Sequence, residues 1–168
     1  MRRLALAGTL AVTMGATASA QEASLTGYWR GTYDCAQGLT GINLTIRQGV
    51  GNAVEAVFHF YAVPQNPGVP TGCFKMSGHL DPDTRAFVLE SDESRWLVRP
   101  PDYVVVNFHG ILGRNGRSMR GRVEGPGCTE FGLRRLDAPP PAPDPCTTAL
   151  NLSAVPPGDP GTAPVAAR

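Results

Sequence analysis

The chain has 168 residues, with 15 basic and 14 acidic side chains, 20 Gly, 16 Pro and 4 Cys. That length suits one domain, and a charge balance so near zero excludes the clustered basic excess of a nucleic-acid binder. A charged fraction of 17%, diluted by Gly and Pro, excludes a helical bundle or coiled coil.

In chain order, the first element is a leader. Met1-Arg2-Arg3 is a positive start, Leu4 to Met14 is a short apolar stretch, and Ala18-Ser19-Ala20 is a small-residue cleavage site. The apolar run is too short, and too broken by Gly8, Thr9 and Thr13, to span a bilayer. Residues 1–20 are therefore expected to be a signal peptide. Cleavage before Gln21 leaves 13 basic against 14 acidic residues, a net −1. Nothing later reaches the length of an apolar membrane span, so no membrane insertion is expected. The mature chain should be periplasmic or secreted.

From Leu25 to Leu136 apolar residues recur with a period of two, the spacing of half-buried strands. Gly27–Cys35 places Trp29, Gly31, Tyr33 and Cys35 on one face. Thr40–Gln48 follows, with Ile42, Leu44 and Ile46 inward. Ala53–Val63 sets Val54, Ala56, Phe58 and Phe60 against Glu55, Val57, His59 and Tyr61. Further strands are expected at Phe74–Leu80, Arg85–Ser91, Tyr103–Leu112, Arg117–Glu124 and Glu130–Leu136. Turn residues such as Asp81-Pro82-Asp83-Thr84, Gly113-Arg114-Asn115-Gly116 and Gly125-Pro126-Gly127 separate them. About eight strands with short connections predict an all-β fold, a small antiparallel up-and-down barrel over 21–137. Nine of the 16 prolines fall in 138–168, so that segment is expected to be a disordered, Pro-rich tail.

Cys35, Cys73, Cys128 and Cys146 are an even set in an exported chain and read as two disulfides. No two lie close enough for a zinc or redox motif. Four cysteines allow three pairings. Cys35–Cys128 and Cys73–Cys146 are expected, because Cys35 ends the first strand and Cys128 precedes the last, and these become neighbours if the sheet closes.

Gly27-x-Trp29 opens the first strand, Pro101-Asp102-Tyr103 precedes the long one, and Arg134-Arg135 closes the last. This order resembles the lipocalin and wider calycin pattern, with Pro101 in place of that family's threonine and no helix after the last strand. The resemblance implies a barrel whose end is closed by Trp29 with a terminal arginine, Arg134, packed on it by cation–π contact. Leu25-x-Gly27-x-Trp29 is also similar to the start of small periplasmic inhibitors of secreted bacterial metalloproteases. In that family an extended N-terminal segment, here Gln21–Ser24, enters the protease cleft.

Catalytic patterns do not emerge. His59, His79 and His109 stand singly on separate strands, without the close pair of a metal site. No Gly-x-Ser-x-Gly or Ser-x-x-Lys motif supplies a nucleophile. Glu90-Ser91-Asp92-Glu93 lacks calcium-loop spacing and reads as a solvated turn. Arg117, Arg120, Arg122 and Arg134 read as an outer wall with Glu124 and Glu130 as partners. No catalytic residue, metal or cofactor is expected. Long aromatic-flanked loops, Tyr61–Phe74 and Ser94–Pro101, predict a recognition surface at a barrel mouth. The sequence thus reads as a non-enzymatic binding module. It would use Tyr61, Trp96 and Tyr103 to hold a small apolar ligand or a secreted or envelope protein, with inhibition of a secreted protease as the alternative.

Overall fold

The structure, a computed structural model, describes residues 23–150. The expected leader at 1–20 and the tail beyond Leu150 lie outside the described residues. Nine strands follow in order: β1 Gly27–Cys35, β2 Gly38–Gln48, β3 Ala53–Tyr61, β4 Gly72–Leu80, β5 Ala86–Glu90, β6 Trp96–Val98, β7 Asn107–Leu112, β8 Ser118–Glu124 and β9 Glu130–Leu136. All pairings are antiparallel. β1-β2-β3-β4-β5-β7-β8-β9 form a ring that closes where β9 pairs β1. This is the expected all-β, eight-stranded up-and-down barrel.

β6 is the addition. β4 pairs β5 through Ser77–Leu80 and β6 through Cys73–Phe74, so β5 and β6 are two halves of one interrupted stave. The interruption is built by side chains. Asp92 accepts the Ser94 backbone N–H at 2.9 Å and caps a 3₁₀ turn, Glu93–Arg95. Ser91 donates its hydroxyl to the Lys75 carbonyl at 2.7 Å. These local bonds compete with the ladder, the usual action of Asp and Ser in turns. Across from β6 the chain at Tyr103–Val106 is unpaired, and the expected strand Tyr103–Leu112 contracts to Asn107–Leu112.

The alternation read from the sequence places the core correctly. Phe58, Phe60, Phe74, Phe87 and Phe108 are fully buried inside the ring, each contributing about 1.5–3 kcal/mol of burial. Their rings interlock with Tyr33 and Phe131: Phe108 lies 4.5 Å from Phe131 and 5.3 Å from Phe58. The ring depends on close glycine contacts, at Gly31, Gly78 and Gly121. A Cβ at Gly31 would collide with the Gly132 carbonyl, and one at Gly121 with the His109 carbonyl. Only a residue without a side chain lets neighbouring strands press this closely and bend.

Both expected disulfides are present, Cys35–Cys128 and Cys73–Cys146. Two bridges place the chain in an oxidising environment. The described part of the expected tail, 138–150, packs against the barrel. Cys146 and Leu150 are buried against Val57 and Cys73 on the outer wall, with Leu97, Val98 and Ala142 beside them. Residues 138–150 therefore form a strap across β3 and β4. Its apolar residues find a partner because Val57 and Cys73 point outward and leave an apolar strip.

Candidate functional site: the open end of the barrel

The two barrel ends are built differently. At one, Leu25 and Trp29 are fully buried, and the indole Nε1 donates to the Leu25 carbonyl at 2.9 Å. The guanidinium of Arg135 lies 4.3 Å over the indole ring. It also donates from Nε to Gly116 O at 2.8 Å and reaches the carbonyls of Ser24 and Thr26. The arginine on the tryptophan is thus Arg135 and not Arg134. The correction is one of parity: Phe131 and Leu133 point inward, so Arg135 does too, while Arg134 is exposed. This end is shut.

The opposite end holds a cavity of about 380 Å³. Phe58, Phe60, Phe74 and Tyr33 form its floor, Val106 and the Cys35–Cys128 bridge one side, and Asp102, Tyr103 and Val104 the rim. Tyr103 stacks on Phe60 with centroids 5.1 Å apart and planes 10° from parallel. Trp96 stands edge-on to Phe74 at 5.0 Å and to Phe60 at 6.2 Å. Two of the three residues expected at the mouth therefore meet over one phenylalanine. Tyr61 does not join them. Phe58 and Phe60 face the core, so Tyr61 one residue on lies on the outer wall. There its ring neighbours His59 at 5.4 Å and covers Gly41.

Glu93 organises the rim, a role that its sequence neighbourhood does not announce. One carboxylate oxygen accepts the Trp96 indole N–H at 3.1 Å and pairs with Arg99 at 2.8 Å. The other accepts the Val105 backbone N–H at 3.2 Å. Arg99 in turn sits 5.8 Å over the Trp96 ring. The 3₁₀ turn that breaks the β5–β6 stave is what brings Glu93 to this position.

Tyr33 is the polar group of the floor. Gln37 donates to its phenol oxygen at 3.0 Å and to the Thr40 hydroxyl at 3.2 Å. Burial, with the nearby Tyr103 phenol as the second cause, pushes the Tyr33 phenol well above the usual tyrosine range, so it stays protonated. Alternation placed Tyr33 inward, yet nothing in the sequence distinguished it from a packing residue.

The histidines are dispersed. His79 is exposed, and His109 pairs with Glu124 at 3.1 Å. His59 is 6% exposed on the outer wall, where it lines a second cavity of about 470 Å³ beneath the strap. Its Nδ1 faces Asn43 Nδ2 at 3.2 Å, and its Nε2 faces the Thr71 hydroxyl at 3.0 Å. Since Thr71 donates onward to Phe60 O, His59 donates from Nε2 and accepts at Nδ1, which is the neutral ring. Burial, then the Arg30 charge, lowers its pKa to about 4. Among the described residues no group of three or more His, Cys, Asp or Glu side chains converges to hold a metal ion.

Two of the four arginines of the expected wall are in surface pairs among the described residues, and Arg120, Arg134 and the expected partner Glu130 are not. Arg122 meets Glu124 at 2.7 Å and Arg117 meets Asp137 at 3.2 Å, while Arg134 stands opposite Ser118 across β8 and β9. Arg85 and Arg135 are occupied by backbone carbonyls.

No protein-family model and no curated protein matches the chain. Among solved structures it is similar to a de novo designed fluorescence-activating β-barrel. The identity is 16%, over 70% of this chain and 97% of that chain, with a TM-score of 0.45.

Proposed function

We propose that this protein is a periplasmic or secreted, non-enzymatic binding module of lipocalin-like build that holds a small apolar ligand at the open end of its barrel. The observation that carries this reading is the aromatic-floored cavity of about 380 Å³ at the mouth, a volume in the range of small-molecule sites. Tyr103 lines the rim, Trp96 backs the floor rings Phe60 and Phe74 without lining the cavity, and Glu93 holds the loops that carry both. The disulfides, and the leader expected at 1–20 from the sequence, support export.

The inhibitor reading rests on Leu25, Gly27 and Trp29, and finds less support. Ala23 and Leu25 are packed into the shut end, and the Ser24 carbonyl is held by Arg135, so the chain is anchored there from Ala23 onward. Titration of the mature protein with Nile red, an uncharged dye that brightens in apolar surroundings, tests the binding reading. Saturable brightening is expected, and Tyr103→Ala should weaken it about tenfold or more by removing one wall and its ring stack. A flat titration, or recovery of a stoichiometric secreted metalloprotease in pull-downs, would replace this reading with the inhibitor one.

A further inference from the structure

The lining of the mouth cavity carries an unusual asymmetry of charge and hydrogen bonding. Among the described residues its one charged side chain is Asp102, and no Lys, Arg or His lines it. A carboxylate entering this site would meet an acid at the rim and aromatic rings on the floor, with no cation to offset its desolvation. The nearby Arg99 is taken up by Glu93 and the Tyr103 carbonyl.

The floor nonetheless offers one hydrogen bond. Tyr33 is 4% exposed and borders the cavity. Its oxygen already accepts from Gln37, and Thr40 donates its own proton to the Gly38 carbonyl at 2.9 Å. Among the described residues the phenol has Gln37 and the Thr40 hydroxyl as side-chain neighbours, and no hydrogen bond of ordinary length is donated by the phenol itself. A donor at a cavity wall can give its proton to water or to an acceptor on a ligand. Four of the lining rings also form two near-parallel pairs: Phe58 with Phe74, 4.6 Å apart and 15° from parallel, and Phe60 with Tyr103. Such stacks are extended best by another flat ring.

We propose that the ligand is an uncharged, planar aromatic compound bearing a carbonyl or similar acceptor, which Tyr33 recognises, and that the site discriminates against carboxylates such as fatty acids. The inference rests on the mouth-binding reading above and narrows it to a chemical class. The Tyr33 donor orients the ligand, while Asp102 filters by charge.

Three naphthalenes of matched size test it by calorimetry on the mature, disulfide-intact protein. Here 2-acetylnaphthalene supplies an acceptor, 2-ethylnaphthalene lacks one, and 2-naphthoate is charged. The acetyl compound should bind at least fivefold tighter than the ethyl one and at least tenfold tighter than the naphthoate. Tyr33→Phe should bring the acetyl-to-ethyl ratio close to one. Asp102→Asn should improve naphthoate binding relative to the acetyl compound. Asp102 has a φ of 64°, a conformation that Asn adopts readily, so this second variant keeps the loop intact. Naphthoate binding as tightly as the acetyl compound, or an acetyl preference that survives Tyr33→Phe, would overturn the proposal. Nile red uptake without any naphthalene preference overturns the class while leaving the mouth reading in place. Failure of both dye and naphthalenes overturns the mouth reading itself.

Discussion

The two ends of this barrel solve opposite problems. The shut end is stabilised from within: Leu25 and Trp29 fill it, and Arg135 lies over the indole while tying three backbone carbonyls together. The open end keeps a cavity where those atoms would be, so its stabilisation comes from the periphery. Cys35–Cys128 ties two neighbouring strand ends, Glu93 gathers the rim loops, and the strap pinned by Cys73–Cys146 braces the outer wall. A small barrel cannot both fill an end and leave it open for a ligand. The difference teaches that the filled, stabilising end and the end proposed to bind are separate along the barrel axis.

The largest test of that separation is Trp29→Ala. Removing a fully buried indole, and with it the Arg135 cation–π contact, should cost about 3–5 kcal/mol, seen as a lower urea midpoint with an unchanged slope. An equal loss from Tyr103→Ala, which is half-buried at the rim, would show that the ends are not separable.

A smaller effect distinguishes the two neighbouring arginines. Arg135→Ala should destabilise by about 2 kcal/mol through the lost cation–π contact and the orphaned carbonyls. Arg134→Ala, on the exposed face, should stay within about 0.5 kcal/mol. Equal effects would undo the parity assignment.

The strap beside the open end has its own signature in pH. His59 titrates at about 4 in the folded protein and near 6.5 in the unfolded chain, so between these values the unfolded state binds the extra proton. Stability from this group is therefore complete above about pH 6.5 and is lost as pH falls toward 4. The loss should be on the order of 2 kcal/mol. Denaturation midpoints of the protein and of His59→Gln, compared at pH 7 and pH 4.5, check it. The variant should fall less, and parallel declines would remove His59 from the account.

Much of this was legible because strand alternation is a local property. Val54 to Phe60 declares its inward face residue by residue, and both cysteine pairs follow once β1 and β9 are neighbours. The same parity also placed Arg135 inward and Tyr61 outward, had it been carried to the strand ends. The rim was less readable. Trp96 sits among charged residues, and its strand exists only because Asp92 and Ser91 interrupt the stave before it.

The sequence by itself determined the all-β class, the barrel's inward residues, the turns and the disulfide chemistry, since each depends on spacing along one chain. Only the tertiary structure decided which end stays open, that the strap covers Val57 and His59, and that Tyr33, Phe74 and Tyr103 share one cavity. Those facts depend on contacts between residues dozens of positions apart. No periodicity encodes whether a given inward ring meets another ring or empty space.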